Sequence, residues 1–367
     1  MKLTTLFILF VVVISIPDGA YAGEMYDFYT GVRQLGMGGI YTTTVNDETS
    51  LLTNPAGLGK IRDLIFTVAD PELHGSFNDT QVAKLDNAST VMTIQGLLDA
   101  LQNAKGVHWH AKAQVFPSLV GPNFGIGLHA KYSYDAELSE DGTIYQLDYT
   151  NDFAAVTGFC FRFFGGILKL GFSGRLVDRV EVAKELDGTA TNLELANVAS
   201  EGTGVGVDGG LILSAPVVLF PTVAFVVRDI GNTSYTLNDG MIYTTAERPR
   251  DTEQRMDGGI SFSPILSNHV RATIGFEYHG INTVADEKDQ MRRVHAGTEL
   301  NVADFFFLRA GLNQRYWTAG LELSSERFQF QVASYGEEIG TVTTSGDTTT
   351  INAREDRRWV GKFAFRF

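Results

Sequence analysis

Side chains that change character every second residue leave a chain few ways to fold, and residues 359–367 show this in its plainest form. Trp359, Phe363, Phe365 and Phe367 fall on one face of a strand there, with Lys362 and Arg366 on the other. A soluble protein that left such an aromatic face open would aggregate along it. A membrane-spanning barrel requires the pattern, because apolar side chains meet lipid and polar ones meet the lumen.

The same period recurs along the chain. Phe124, Ile126, Leu128, Ala130, Tyr132 and Tyr134 oppose His129, Lys131, Ser133 and Asp135. Leu168, Leu170, Phe172 and Leu176 oppose Lys169, Ser173, Arg175 and Arg179, and Val270–His279 alternates in the same way. Further strands are expected at Asp63–Ala69, Val107–Phe116, Ile144–Phe163, Val205–Ser214, Thr222–Asp229, Met256–Ser263, Met291–Leu300, Phe305–Asn313, Trp317–Ser324, Phe328–Tyr335 and Arg357–Phe367. The fold class is therefore all-β: an antiparallel transmembrane barrel of about 14 strands, each near the length a tilted strand needs to cross a bilayer. Connection lengths alternate as well. Turns at Pro117–Asn123, Phe164–Gly166, Ala215–Pro221, Pro264–His269, Asn301–Asp304 and around Ser325 are short. Those at Pro71–Gly106, Ala136–Thr143, Val180–Gly204, Ile230–Arg255, Gly280–Gln290 and Gly336–Asp356 are longer and more polar, while Gln314–Tyr316 is a near-loopless exception. A soluble sandwich has no reason to sort its loops by side. Two long loops carry apolar residues at helical spacing, at Thr93–Leu101 and more weakly at Asn192–Ala199, suited either to catching greasy molecules or to capping the barrel.

Lys2, the apolar run Leu6–Ile16, Pro17 and Ala20-Tyr21-Ala22 form a signal-peptide pattern, so the mature chain is expected to start at Gly23. No later run approaches the roughly 20 apolar residues of a membrane helix. A net charge of -14 argues against nucleic acid as a partner. A mean hydropathy of -0.01 is too low for a helical membrane protein and ordinary for a barrel. The single cysteine, Cys160, excludes an internal disulfide and, between Phe159 and Phe161, reads as a packing residue. No catalytic triad, carboxylate pair or phosphate loop stands out, so neither an enzyme nor a cofactor is expected. His108 and His110 share a strand face with Lys112, which opposes a cation, and no metal site is assigned.

Residues 23–62 lack alternation and are dense in glycine. They contain Leu35-Gly36-Met37-Gly38-Gly39, then Asp47-Glu48, then Asn54-Pro55-Ala56-Gly57-Leu58. No strand precedes these glycines, so they are not a dinucleotide fingerprint. The two boxes at this spacing resemble the start of FadL-like outer-membrane transport proteins and, more closely, of their PorV/PorQ-type branch. Val207–Gly210, Arg228–Asn232, His295–Glu299 and Leu308–Gly311 look like later strands of that branch. The resemblance implies a 14-stranded barrel (63–367) plugged by an N-terminal luminal hatch (23–62). Leu35, Gly36, Gly38, Gly39, Asn54, Pro55, Ala56 and Gly57 would be its motif, either as a structural turn or in contact with ligand. It also implies capture of hydrophobic compounds such as long-chain fatty acids, with exit through a lateral opening. A final strand closing on Phe363, Phe365 and Phe367 resembles the signal read by the bacterial barrel-assembly machinery, which implies that machinery and outer-membrane lipid as partners.

Charges expected on lumen faces are Arg175, Arg179, Arg271, Glu277, Arg293, Glu299, Arg309 and Glu322. They suit ion pairs between strands or with Asp47 and Glu48. The sharper alternative has Arg175, Arg271 or Arg309 holding the carboxylate of a hydrophobic small-molecule ligand. The functional expectation is transport of hydrophobic or amphipathic small molecules. The alternative is a PorV-like scaffold that serves secretion or attachment of surface proteins.

Overall fold

In the computed structural model each segment read as alternating is a strand, and its faces sort by polarity. Phe276 is 53% exposed on the outer face, whereas its neighbour Glu277 is 4% exposed on the inner one. The structure describes residues 27–76, 93–243, 245, 247–283, 289–345 and 348–367, and the expected signal peptide lies outside them. Among these residues no helix is long and apolar enough to cross a membrane.

Fourteen antiparallel strands close into one barrel. We number them β1 (Ile65–Ala69 and Glu72–Ser76), β2 (His108–Val115 and Ser118–Gly121), β3 (Phe124–Leu138), β4 (Ile144–Phe163), β5 (Leu168–Asp187), β6 (Ser200–Ser214) and β7 (Thr222–Arg228). The remainder are β8 (Arg255–Phe262), β9 (Val270–Tyr278), β10 (Val294–Val302), β11 (Phe306–Asn313), β12 (Tyr316–Ser324), β13 (Phe328–Glu338) and β14 (Glu355–Arg366). Each pairs with its neighbours in sequence. The ring closes where β14 meets β1, with Thr67 opposite Arg366 and Arg358 opposite Ser76. Phe328 stacks on Phe365 at 4.9 Å on the outer surface, part of the aromatic band that residues 359–367 announce.

Two prolines redraw the expected boundaries. Pro71 and Pro117 lack a donor for the ladder and split β1 and β2 at matching heights. The segment Pro117–Asn123, expected as a turn, is therefore mostly strand, and the chain reverses at Pro122-Asn123. Likewise Glu72–Ser76, expected as loop, belongs to β1. The Asp70 carboxylate fills the gap by accepting the Phe116 N–H.

The long loops are also more regular than expected. β5 runs to Asp187 instead of Arg179, and β3 to Leu138. A helix at Ile94–Leu101, capped by Thr93 Oγ1 accepting from the Gly96 N–H at 3.1 Å, explains why. Its Ile94, Leu97, Leu98 and Leu101 pack on Leu138, Tyr145, Leu147, Tyr149, Val180 and Val182. Those wall residues continue the outward rows of Tyr132, Phe153 and Leu176, so the helix clads the outside of the wall beyond the lipid-facing band. Its apolar face is thereby taken up by the wall. The weaker helical pattern at Asn192–Ala199 yields a single turn, Leu195–Val198. The last long loop holds a hairpin of Thr341–Ser345 with Thr348–Asn352, favoured by its β-branched residues.

The sorting of faces predicts a sharp difference between neighbouring positions. Phe276→Arg should cost about 2–4 kcal/mol of folding stability in liposomes. Thr273→Lys on the inner face should cost far less. Denaturant titrations of the two variants that overlay would contradict the assignment of faces.

Candidate functional site

Residues 27–62, the segment expected as a hatch, lie against inner faces of the wall, and their local structure follows from their caps. Gly31 precedes a short helix, Val32–Gly36, and its N–H is held by Gln34 Oε1 at 3.1 Å. Asp47 caps the 3-10 turn Glu48–Leu51 by accepting the Thr49 N–H at 3.0 Å. Asn54 caps a second turn, Pro55–Lys60, with Oδ1 accepting from Ala56 N at 3.1 Å while Nδ2 donates to Thr42 O at 2.8 Å. Pro55 sits where a helical turn needs no donor. These bonds fix the Asn54–Gly57 box as a capped turn.

The two boxes seat on opposite sides of the barrel. Leu35 packs with Val32 on Ala333, Tyr335 and Val360 of β13 and β14. Gly36 meets Gly320 of β12 so closely that an added Cβ would lie 3.2 Å from its Cα. Gly38 and Gly39 have φ of 72° and 85°, a left-handed bend open to glycine; Met37 and Gly38 press on Gly297 and Gly311 of β10 and β11, and Gly39 faces His295 and Asn313. Across the lumen, Asn54, Pro55 and Ala56 lie against Gly210 of β6 and Gly171 of β5, where a Cβ would overlap them outright. Wall glycines thus form the seats for both boxes.

Charged groups fix the segment between the seats. The Glu277 carboxylate of β9 accepts three consecutive hatch N–H groups, those of Tyr41, Thr42 and Thr43, at 2.9–3.1 Å. Tyr41 Oη donates to Asp257 Oδ2 at 2.7 Å. Arg33 forms a bidentate pair with Glu299 at 2.9 and 3.0 Å. Glu48 meets Arg366 at 2.5 Å. Burial raises the Asp27 carboxyl, yet Arg255 and Arg228 hold it below its ordinary range, at 3.1 and 2.8 Å. Burial, with Lys169 and Arg33 adding to it, pushes the Lys60 amine down to about 7.

The arginines singled out in the sequence separate into two groups. Arg175 bridges Asp208, at 2.5 Å, and Asp229. Arg309 lies between Glu299, at 2.7 Å, and Glu322. Arg179 pairs with Asp152 at 2.7 Å. All three are buried in cross-strand ion pairs. Arg271 is not within the lumen: it sits at the short-turn end of β9, exposed, 3.4 Å from Asp304. Arg293 also leaves the lumen, because it precedes β10 and donates to the carbonyls of Gly280 and Thr283. His110 Nδ1 lies 2.7 Å from Asp135, beside His108. Cys160 is buried against the hatch, with Sγ 3.6 Å from Ala56 O.

One strip of the lumen is apolar. Phe116 and Val120 of β2, Ala154, Val156 and Cys160 of β4, and Val177 of β5 point inward. They pack with Phe28, Tyr29, Leu51, Leu52, Leu58 and Ile61 of the hatch and with Tyr235 of the long loop before β8. The seam therefore runs from the long-loop mouth to the short-turn end. Tyr29 also lines an inner cavity of about 20 Å³ with Val32, Gln331 and Lys362. On the other side of that wall lies an outer groove of about 290 Å³ formed by Leu73, Gly75, Val332, Trp359 and Gly361. Gln331 and Val332, like Lys362 and Gly361, are consecutive, so a single layer of backbone separates the two spaces.

This architecture has relatives among solved structures. The CymD monoaromatic hydrocarbon channel matches over 94% of this chain and 97% of its own, at 11% identity and a TM-score of 0.52. The Pseudomonas putida toluene transporter TodX matches over 94% and 98%, at 12% identity and 0.50. The Ralstonia pickettii toluene transporter TbuX matches over 92% and 97%, at 11% identity and 0.50. The chain has their fold. No protein-family model and no curated protein sequence matches it.

Glu277 was legible as a lumen charge, but its part in holding the hatch was not. Glu277→Ala leaves three hatch N–H groups without their acceptor and should weaken hatch docking by about 3 kcal/mol. Amide hydrogen exchange should quicken across residues 31–61 while the wall strands stay protected. Unchanged exchange at Tyr41–Thr43 would show that the hatch is held elsewhere.

Proposed function

We propose that this chain is a bacterial outer-membrane channel for small hydrophobic or amphipathic molecules, including fatty-acid-like chains with a polar head. The observation that carries the reading is the apolar seam, which is continuous along a lumen otherwise lined by paired charges. Such a lumen disfavours ions and sugars, whose hydration shells the closed hatch would have to strip. An apolar molecule loses nothing by leaving water for Tyr235, Val177, Val156 and Phe28. The shared fold with hydrocarbon channels supports the reading. In it, a molecule enters beside Tyr235, passes along β4, displaces Tyr29 and leaves sideways through the thin wall at Val332 and Gly361. The breaks in β1 and β2 at Pro71 and Pro117 lie beside this stretch and weaken its ladder. The leader 1–22 would be removed on export, and Phe363, Phe365 and Phe367 would direct assembly. Arg175 and Arg309 already hold carboxylates of this chain, so a ligand head group would have to compete with Asp208, Asp229, Glu299 and Glu322.

Uptake of labelled toluene and oleate by cells carrying the gene tests the reading. Val156→Asp should reduce uptake to the level of cells lacking the protein, because it places a carboxylate in the seam. Gly361→Trp should do the same by filling the outer groove. Retained heat-modifiable mobility would confirm that both variants fold. Uptake by the wild type no greater than in cells lacking it would overturn transport. Co-purification of a surface or secreted protein would then favour the scaffold reading.

A further inference from the structure

The rim on the short-turn side is chemically divided. The turns after β4, β6 and β8 hold no Asp, Glu, Lys or Arg over Phe163–Leu168, Ser214–Thr222 and Ser263–Asn268. Their tips are strongly exposed and apolar: Val218 is 87% and Phe164 78% exposed, and Val217, Leu219, Ile265 and Leu266 are also open. The three turns form one surface, because Ser214 N donates to Ile167 O at 2.9 Å and Ser263 N to Leu219 O at 2.7 Å. Elsewhere on that rim the tips carry charge at Arg62 and Asp63 before β1, Asp304 after β10, and Glu326 and Arg327 after β12, while the short turn after β2 is the polar but uncharged Pro122-Asn123.

An apolar surface of this extent on a protein rim needs a partner. This one is continuous with the lipid-facing wall, since the outward row of β4 runs through Phe153, Phe159, Phe161 and Phe163 straight into Phe164. The ten residue-to-residue steps from Phe153 to Phe163 already cover roughly 25 Å of membrane height at the usual strand rise and tilt. The Phe164 tip therefore lies at the lower edge of the hydrocarbon. We propose that the turns after β4, β6 and β8 are immersed in the phospholipid of the adjoining leaflet. The charged turns after β10 and β12 stand in water, so that the barrel sits inclined in the bilayer. The inference rests on the barrel crossing a membrane but not on what it transports.

Single-cysteine variants in a Cys160→Ala background, labelled with bimane in phosphatidylcholine vesicles, separate the possibilities. Val218→Cys and Leu266→Cys report on the apolar rim, Asp304→Cys and Glu326→Cys on the charged rim, and Phe276→Cys on the mid-wall. Brominated phospholipid should quench the labels at 218, 266 and 276, with loss of quenching by aqueous iodide. At 304 and 326 iodide should quench instead. Iodide quenching at 218 and 266 equal to that at 304 and 326, with 276 still quenched by lipid, would overturn the proposal alone. Shielding of 218 and 266 from both quenchers would assign the surface to a protein contact and overturn it too. Failure of lipid to quench 276 would instead sink the membrane-barrel reading itself.

Discussion

A wall of fourteen strands encloses more space than its own side chains can fill, and this constraint governs everything inside it. The chain answers with an irregular segment, and such a segment brings backbone donors that helices and strands would otherwise satisfy. Glu277 resolves the worst of this by taking the N–H groups of Tyr41, Thr42 and Thr43 on one carboxylate. Close packing does the rest. Where Met37 meets Gly297, Gly38 meets Gly311, and Pro55 meets Gly171, the hatch lies directly on wall backbone. A side chain at any of these wall positions would lift the hatch from its seat.

The charges of the lumen follow from the same geometry. Burying a lone ion is costly, and removing one member of a buried pair costs about 3–5 kcal/mol. Asp152 accordingly takes both Lys131 and Arg179, and Asp257 both Arg228 and Arg255. These pairs stiffen the wall around the hatch, and they confine the apolar seam to the inner faces of β2, β4 and β5. The seam is continuous because the inward positions of β4 change at Asp152 from polar to small and apolar, through Ala154, Val156 and Cys160.

Much of this was legible in the sequence, because alternation is a property of each strand by itself. Faces such as Phe276 against Glu277 and the fourteen-strand barrel needed nothing more. What escaped were features made by partners remote in sequence. The rows run on through Leu138 and Val182, but nothing local shows that the helix Ile94–Leu101 covers them from outside and so lets the strands extend that far. Arg271 alternates like a lumen residue, yet its place at the strand end puts it in solvent. The seats of the hatch were half visible. The later segments His295–Glu299 and Leu308–Gly311 stood out only by resemblance, and they supply the Gly297 and Gly311 on which the first box rests.

The central claim is that residues 27–62 close a pore that would otherwise stand open. Conductance in planar bilayers of the intact protein and of a variant lacking residues 25–58 tests it most directly. The account predicts an intact barrel that is nearly silent and a deletion variant with steady, large single-channel currents. Equal conductance from the two proteins, both folded, would mean that the hatch does not seal the lumen.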